Sequence, residues 1–355
     1  MKKLVSVLLS TAVLAGVLAA CGGGATSSTP APASTPSTAS AASTAGTVKA
    51  PEDMTIYFLT KILGNQYWAV VEQGAKDAAA DLGISNLVIT GLNNEAEVEK
   101  QVQQLQDAVS AQADAIVLGP TDSTAMARPV EDAFDSGIPI VIVDTMINTE
   151  KYSAALLTNN VEAGKTAAEE MINRLKEAGV KEDEVAEIAI QVGSSGSQTI
   201  IDRLDGFNQY WDANAPESWV VLNNDVKVND GDITKAVGFT QDFLTTYPDL
   251  KGVFGPNNGS TVGFVTGLTE ASRTDLVMVG FDFSDEIKTM IDKGEFNVAT
   301  IVQKQYLMGY EGVVTAVKLA QGETIAEKAI DTGVLVVDKV NIEDKDVQDI
   351  INPTA

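Results

Sequence analysis

Two aspartates close apolar runs in this chain: Asp144 follows Ile140-Val141-Ile142-Val143, and Asp282 follows Val277-Met278-Val279-Gly280-Phe281. A carboxylate at the carboxyl end of a buried strand has two ordinary uses: hydrogen bonding to a ligand, or capping the next helix. Other polar groups recur just after apolar runs: Lys61 and Asn65, Pro120–Asp122, Thr145, Asn159-Asn160, Gly193–Ser197, Asn257-Asn258 and Gln303. The asparagines among them also serve as turn formers. Amides, carboxylates and hydroxyls in such positions suit reversible hydrogen bonding to a neutral polar molecule.

What is missing narrows the chemistry further. There is no histidine, which removes Ser-His-Asp and Cys-His catalysis, His-ligated metals and the commonest general base. The single cysteine, Cys21, allows neither an internal disulfide nor a zinc or iron–sulfur centre. No cofactor or metal is expected. The nearest approach to a calcium loop, Asp225-x-Lys227-x-Asn229, places a lysine where an oxygen ligand is needed and lacks glycine at its sixth position. With 24 Lys+Arg against 49 Asp+Glu the formal charge is −25, so a phosphate backbone is repelled and no nucleic-acid partner is expected.

The elements that position these groups alternate in type. Met54–Thr60 reads as a buried strand, and Trp68, Val71, Ala75, Ala78, Ala79 and Leu82 follow at helical spacing until Gly83. Further strands are predicted at Leu87–Thr90, Ala115–Leu118, Pro139–Asp144, Ala155–Asn159, Val185–Val192, Trp219–Asn223, Gly252–Gly255, Leu276–Asp282 and Val298–Gln303. Helical segments lie between most of them, including Glu95–Gln112 with Val98, Val102, Leu105 and Val109 on one face. Apolar strands alternating with helices argue for parallel sheets covered on both faces. Ten strands exceed one ordinary core, so the folded part, from about Pro51, is expected to form two α/β lobes.

The first fifty residues have a different character. Met1-Lys2-Lys3 and the apolar run from Leu4 to Ala20 read as a signal peptide over 1–20. Leu18-Ala19-Ala20-Cys21 resembles the lipobox of bacterial lipoproteins, in which the cysteine becomes a lipidated N-terminus. Cleavage there removes Lys2 and Lys3, leaving 22 basic against 49 acidic groups, a formal −27. Residues 21–50 then comprise the lipidated cysteine and a Gly/Ala/Ser/Thr/Pro linker with nothing to bury. A flexible coil of that length reaches roughly 30 Å.

Several motifs in the folded part carry a family resemblance. They are Gly64-Asn65-Gln66-Tyr67-Trp68 with Gly74-Ala75, Asp114 through Asp122, and Gly137-Ile138-Pro139 leading to Asp144. Arg203-Leu204-Asp205-Gly206-Phe207, Pro248-Asp249, Asn257, Val279 through Asp282, and Gln303 with Met308-Gly309-Tyr310 complete the series. In this order, from about Thr55 to Asn341, the chain resembles the type I periplasmic sugar-binding proteins, the ribose-binding-like solute receptors of ABC importers.

That resemblance implies two doubly wound parallel-sheet lobes joined by a three-strand hinge, with a sugar closed between them. The crossings fall near Leu157–Asn159, Gln303–Gln305 and Asp331–Val334. The lobes then comprise 51–158 plus 304–332, and 159–303 plus 333–355. Carried over by position, the ligand contacts are Asn65, Tyr67, Trp68, Asp144, Arg203, Asn257, Asp282 and Gln303, with Lys61 and Thr145 beside them. Tyr67 or Trp68 offers a flat face to a sugar ring, although adjacent residues diverge on a helix and one can be core. Arg203 either binds ligand and offsets the carboxylates or makes a surface ion pair; Gln303 either binds ligand or holds backbone at the crossing.

Departures from the ribose pattern point to another hydroxyl arrangement: an anomer, a polyol or a larger sugar. Thr145 stands where that pattern has a second arginine. Lys61 replaces a small hydroxyl residue, as in some other sugar and quorum-signal receptors, and Asn229-Asp230-Gly231-Asp232 lacks the expected aromatic. The implied protein is a non-enzymatic monomer that delivers a monosaccharide or polyol to the membrane subunits of an ABC permease. It is tethered by lipid at the outer face of the cytoplasmic membrane or in the periplasm. The alternatives are a sensor that signals to a receptor, and a glycoside hydrolase using Asp144 and Asp282, although nothing in the sequence raises the pKa of either acid.

Overall fold

A computed structural model describes residues 48–353. The expected signal peptide over 1–20, the Cys21 lipidation site and most of the 21–50 linker lie outside the described residues.

The first sheet is built by β1 (Thr55–Ile62), β2 (Asn86–Leu92), β3 (Ala115–Leu118), β4 (Ile140–Asp144) and β5 (Ala154–Leu157). Between them run α1 (Gln66–Leu82), α2 (Val98–Ser110) and α3 (Ala127–Asp135). Asn65 caps α1, its side chain accepting from the Trp68 backbone N–H, and Gly83 ends it in the left-handed region at φ 73°. Every residue of β3 and β4 is buried, as strands covered on both faces require.

The second sheet follows α4 (Asn160–Glu177). Its strands are β6 (Ala186–Val192), β7 (Trp219–Val221), β8 (Lys227–Val228), β9 (Leu250–Gly255), β10 (Val277–Phe281) and β11 (Asn297–Gln303). Interleaved are α5 (Gln198–Asn214), α6 (Ile233–Thr246), α7 (Asn258–Glu270) and α8 (Asp285–Lys293). The chain then returns through α9 (Gln305–Ala320), which packs on α1, β3 and β4, to β12 (Ala329–Asp331). It ends in β13 (Val334–Asp338) and α10 (Lys345–Ile351).

Strand order is β12-β5-β4-β3-β1-β2 in one sheet and β13-β11-β10-β9-β6-β7 in the other, with β8 paired to β6. The pairing is parallel, as in Phe58 opposite Val117 and Met278 opposite Val298, except that β13 runs antiparallel to β11. Helices cover both faces of each sheet, giving four clusters of buried apolar side chains. The chain passes between the sheets three times: after β5, after β11, and from β12 to β13. At the third crossing the Thr332 backbone N–H donates to the Leu157 carbonyl (2.7 Å), and Asp331 accepts from the Asn159 and Gly333 backbone N–H groups.

Three strands exceed the ten expected. β8 has two residues, β12 is exposed throughout, and β13 is mostly half-buried, so none carries a buried apolar run. The antiparallel β13 also departs from the all-parallel expectation. Helix α2 starts at Val98, not Glu95, which leaves Glu95 in the preceding loop.

Candidate functional site

Asp144 and Asp282 stand at equivalent places, at the carboxyl ends of β4 and β10, and both adopt the left-handed region, with φ 65° and 69°. This conformation is uncommon outside glycine, although aspartate tolerates it better than most residues, and it redirects the side chain after the strand. Neither caps a helix. The strand β5 follows Asp144, and α8 is capped by Ser284.

The Asp144 carboxylate is fully engaged. One oxygen accepts from the Tyr67 hydroxyl (2.7 Å); the other accepts from the Thr145 hydroxyl (2.7 Å) and faces the Lys61 ammonium at 3.0 Å. Burial pushes its pKa up, but Lys61, with the Thr145 and Tyr67 hydrogen bonds, outweighs it and holds the group below the usual carboxylate value. Tyr67 in turn is raised well above an ordinary phenol by burial and by the carboxylates of Asp144 and Asp282. Lys61 is 5% exposed and spends its donors on Thr145 (2.6 Å), Asp144 and, more distantly, Ser197 (3.4 Å).

Asp282 has less help. It accepts from the Gln303 amide (2.8 Å), whose carbonyl accepts from Thr158, and from the backbone N–H of Asn258 at the start of α7. Burial dominates over Arg203 and these hydrogen bonds, and its pKa is pushed up to about 6. Here the structure differs from the sequence reading, which found nothing to raise either acid. Burial beside the sheet is a tertiary effect that no local pattern reports.

Arg203, 1% exposed, is not a surface ion pair. Its Nε donates to Asn160 (2.9 Å), one terminal nitrogen donates to the Pro256 carbonyl (2.7 Å), and the guanidinium lies 3.9 Å above the Phe281 ring. Its Nη2 is buried with no hydrogen-bond partner among the described residues, as is the Asn258 amide nitrogen. Burial lowers its pKa while Asp282 and Asp144 raise it. The ring of Trp68 packs against Gly119, where a Cβ would stand 2.4 Å from it, and meets Tyr67 edge-on at 5.3 Å.

These side chains meet in a narrow cavity between the two sheets, with about 30 Å³ free in this arrangement of the lobes. It is lined by Lys61, Asn65, Tyr67, Trp68, Asp144, Arg203, Asn257, Asp282 and Gln303. Both aromatics line it, so neither is purely core. Gln303 holds Asp282 and Thr158 rather than backbone alone. Thr145 is the exception among the sequence candidates. It is fully buried behind Asp144, bonded to Lys61, Asp144 and Thr199, because the turn at Asp144 points the next side chain inward. Glu95 and Asn258 also line the cavity. Sequence reasoning placed Glu95 in a helix, whereas Asn258 was visible as the second residue after an apolar run.

The two halves are in contact around the cavity. Asn65 donates to Asn258 (2.9 Å), Glu95 N–H to the Asp230 carbonyl (2.9 Å), Ser123 N–H to the Gly196 carbonyl (3.0 Å), and the Thr199 hydroxyl to the Asp144 carbonyl (2.9 Å). Among the described residues no cluster suits a metal ion, and no helix is long and apolar enough to cross a membrane.

Residues 56–324 match the family model described as the periplasmic binding protein domain. The chain belongs to this family. The binding protein's two parallel-sheet lobes are those of its type I fold. It is 29% identical over 274 residues to the ribose import binding protein RbsB of Escherichia coli, covering 77% of this chain and 87% of that one. It is 27% identical over 288 residues to the D-apiose import binding protein of Actinobacillus succinogenes, covering 81% and 88%. Among solved structures, it resembles an ABC transporter solute-binding protein from Agrobacterium vitis with bound D-fucose: 31% identity, TM-score 0.77, 84% of this chain and 99% of that one. A carbohydrate transporter solute-binding protein from Agrobacterium radiobacter, in complex with D-arabinose, gives 28%, 0.79, 84% and 99%.

Proposed function

We propose that the protein is an extracytoplasmic solute receptor that closes its lobes, 51–158 plus 304–332 and 159–303 plus 333–355, on a monosaccharide or related polyol and passes it to an ABC permease. The observation that carries this reading is the interlobe cavity, where two aromatic rings, two opposed aspartates and the unpartnered nitrogens of Arg203 and Asn258 converge. Aromatic faces suit the C–H side of a sugar ring, and carboxylates and unpaired donors suit its hydroxyls. The sugars in the names of its relatives support the same class. Closure then follows from contacts that the ligand makes to both lobes.

The divergent pKa values of Asp144 and Asp282 also resemble an acid–base pair. However, the Tyr67, Thr145 and Lys61 contacts occupy both oxygens of Asp144, leaving it poorly placed to act as base or nucleophile. The protein is therefore read as a binder rather than an enzyme. A calorimetric screen of pentoses, hexoses and polyols tests this reading, with micromolar binding of at least one member expected. No binding across the panel, or release of product from chromogenic glycosides, would overturn it.

The N-terminal tether is part of the proposal: lipid on Cys21 holds a monomeric body at the outer face of the membrane. Mass spectrometry of the membrane-associated protein should find the acylated cysteine at its N-terminus, and Cys21→Ala should release it from the membrane fraction.

A further inference from the structure

Glu95 lies in the loop between β2 and α2 and is 8% exposed. Its backbone is held at both ends: the N–H donates to the Asp230 carbonyl across the cleft, and the carbonyl accepts from the Thr121 hydroxyl (2.9 Å). Its carboxylate faces two glycines of the other lobe. A Cβ on Gly193 would stand 3.0 and 3.1 Å from its two oxygens, and one on Gly231 would stand 3.5 Å from its Cγ. The facing lobe thus leaves room for this side chain at Gly193, and at Gly231 for it and for Ile62, whose Cδ1 would stand 2.5 Å from a Cβ there.

Unlike the other two carboxylates of the cavity, Glu95 has no hydrogen bond among the influences on it. Burial raises its pKa, Lys61 lowers it, and Asp144 and Asp230 add to the rise. Lys61 is already committed to Asp144, Thr145 and Ser197. Its carboxylate accepts no hydrogen bond among the described residues, and neither oxygen is among the sealed, unpartnered atoms, so both stay open to a donor entering the cavity that Arg203 and Asn258 also line.

We propose that Glu95 contacts the ligand directly, accepting a hydrogen bond from one sugar hydroxyl, and that it selects sugars bearing that hydroxyl over the same sugars without it. This rests on reading the cavity as a sugar site. A site built around an acceptor rejects an analogue lacking the donor because the acceptor is then buried unpaired.

The test is a cycle between protein and ligand. D-Ribose, D-allose, D-arabinose, D-galactose, D-glucose and D-tagatose are titrated into the protein by calorimetry, and the tightest is repeated with each of its monodeoxy derivatives. Glu95→Ala is expected to weaken the parent sugar about 10- to 100-fold. Glu95→Gln, which keeps size and an acceptor, is expected to lose less. One monodeoxy derivative should lose a similar factor on the unmodified protein and almost nothing further on Glu95→Ala. Unchanged melting without sugar shows that the variant folds, as expected when the backbone bonds remain. If every deoxy derivative loses the same factor on both proteins, Glu95 touches no hydroxyl and the proposal falls while the sugar site stands. If no sugar binds the unmodified protein, the sugar site itself falls, and this assignment with it.

Discussion

Asp144 and Asp282 share a place at the end of a buried strand, a left-handed backbone and a wall of one cavity, yet they differ in charge behaviour. Asp144 has a lysine at 3.0 Å and two hydroxyl donors, and is held below the ordinary carboxylate value. Asp282 has Arg203, an amide and one backbone N–H, yet burial outweighs them and pushes it up to about 6. The local turn therefore does not set the protonation of the acid. The neighbours brought in by other elements do: β1 and α1 for Asp144, α7 and β11 for Asp282. One lobe presents a fixed acceptor already satisfied from behind, and the other an acceptor whose charge is less well compensated and gains more from ligand hydroxyls.

Removing the lysine should break this contrast most strongly. Lys61→Met leaves Asp144 buried without its cation, and the loss of such a partner costs about 3–5 kcal/mol. Denaturant unfolding at pH 7 should show a loss of this order, and part should return at pH 5 as Asp144 takes a proton. Equal losses at both pH values would mean that Lys61 acts by packing alone.

Next in size is the pair Asp282→Asn and Asp144→Asn. Asp282 is raised from 3.8 to about 6, so its ionised form disfavours the fold. The penalty is absent below about pH 4 and complete above pH 6, and on that shift is on the order of 2–3 kcal/mol. Asp282→Asn should thus equal the parent in acid and exceed it in stability at neutral pH, while losing sugar affinity. Asp144 has the opposite sign: its stabilisation is present above the ordinary carboxylate value and lost as pH falls through its lowered one. Asp144→Asn should therefore be less stable than the parent at pH 7, and the deficit should shrink in acid. Stability curves of like sign for the two variants would refute the asymmetry.

Tyr67→Phe removes one of three partners of Asp144 and should cost about 1–2 kcal/mol, read as a lower urea midpoint with unchanged slope. The smallest effect is expected from Ser197→Ala. Its contacts to Lys61 (3.4 Å) and Thr145 (3.5 Å) are the longest in the cluster, so stability should stay within about 0.5 kcal/mol of the parent. A larger loss would show that the cation is shared between lobes.

Much of this was legible in the chain. The apolar runs ending in Asp144, Asp282 and Gln303 announced both the strands and the side of the sheet where the cavity forms, because a buried strand must be apolar up to the point where it leaves the core. The exposed β12 and the two-residue β8 carried no such mark. Glu95 was hidden because Val98, Val102 and Leu105 extend a helical pattern backward over it, and only the approach of Gly193 and Gly231 from the other lobe makes it part of the site. Thr145 looked equal to Asp144 in sequence and is its support instead, a distinction set by the left-handed turn between them.

The order of strands has a consequence for how the chain comes together in time. The edge of the first sheet is completed by β12, about 170 residues after its neighbour β5, and the second sheet is closed by β13 immediately afterwards. Neither sheet has its full set of strands until β12 and β13 have been made. Such distant partners slow folding. The two sheets are therefore completed nearly together, by edge strands that follow one another directly in sequence.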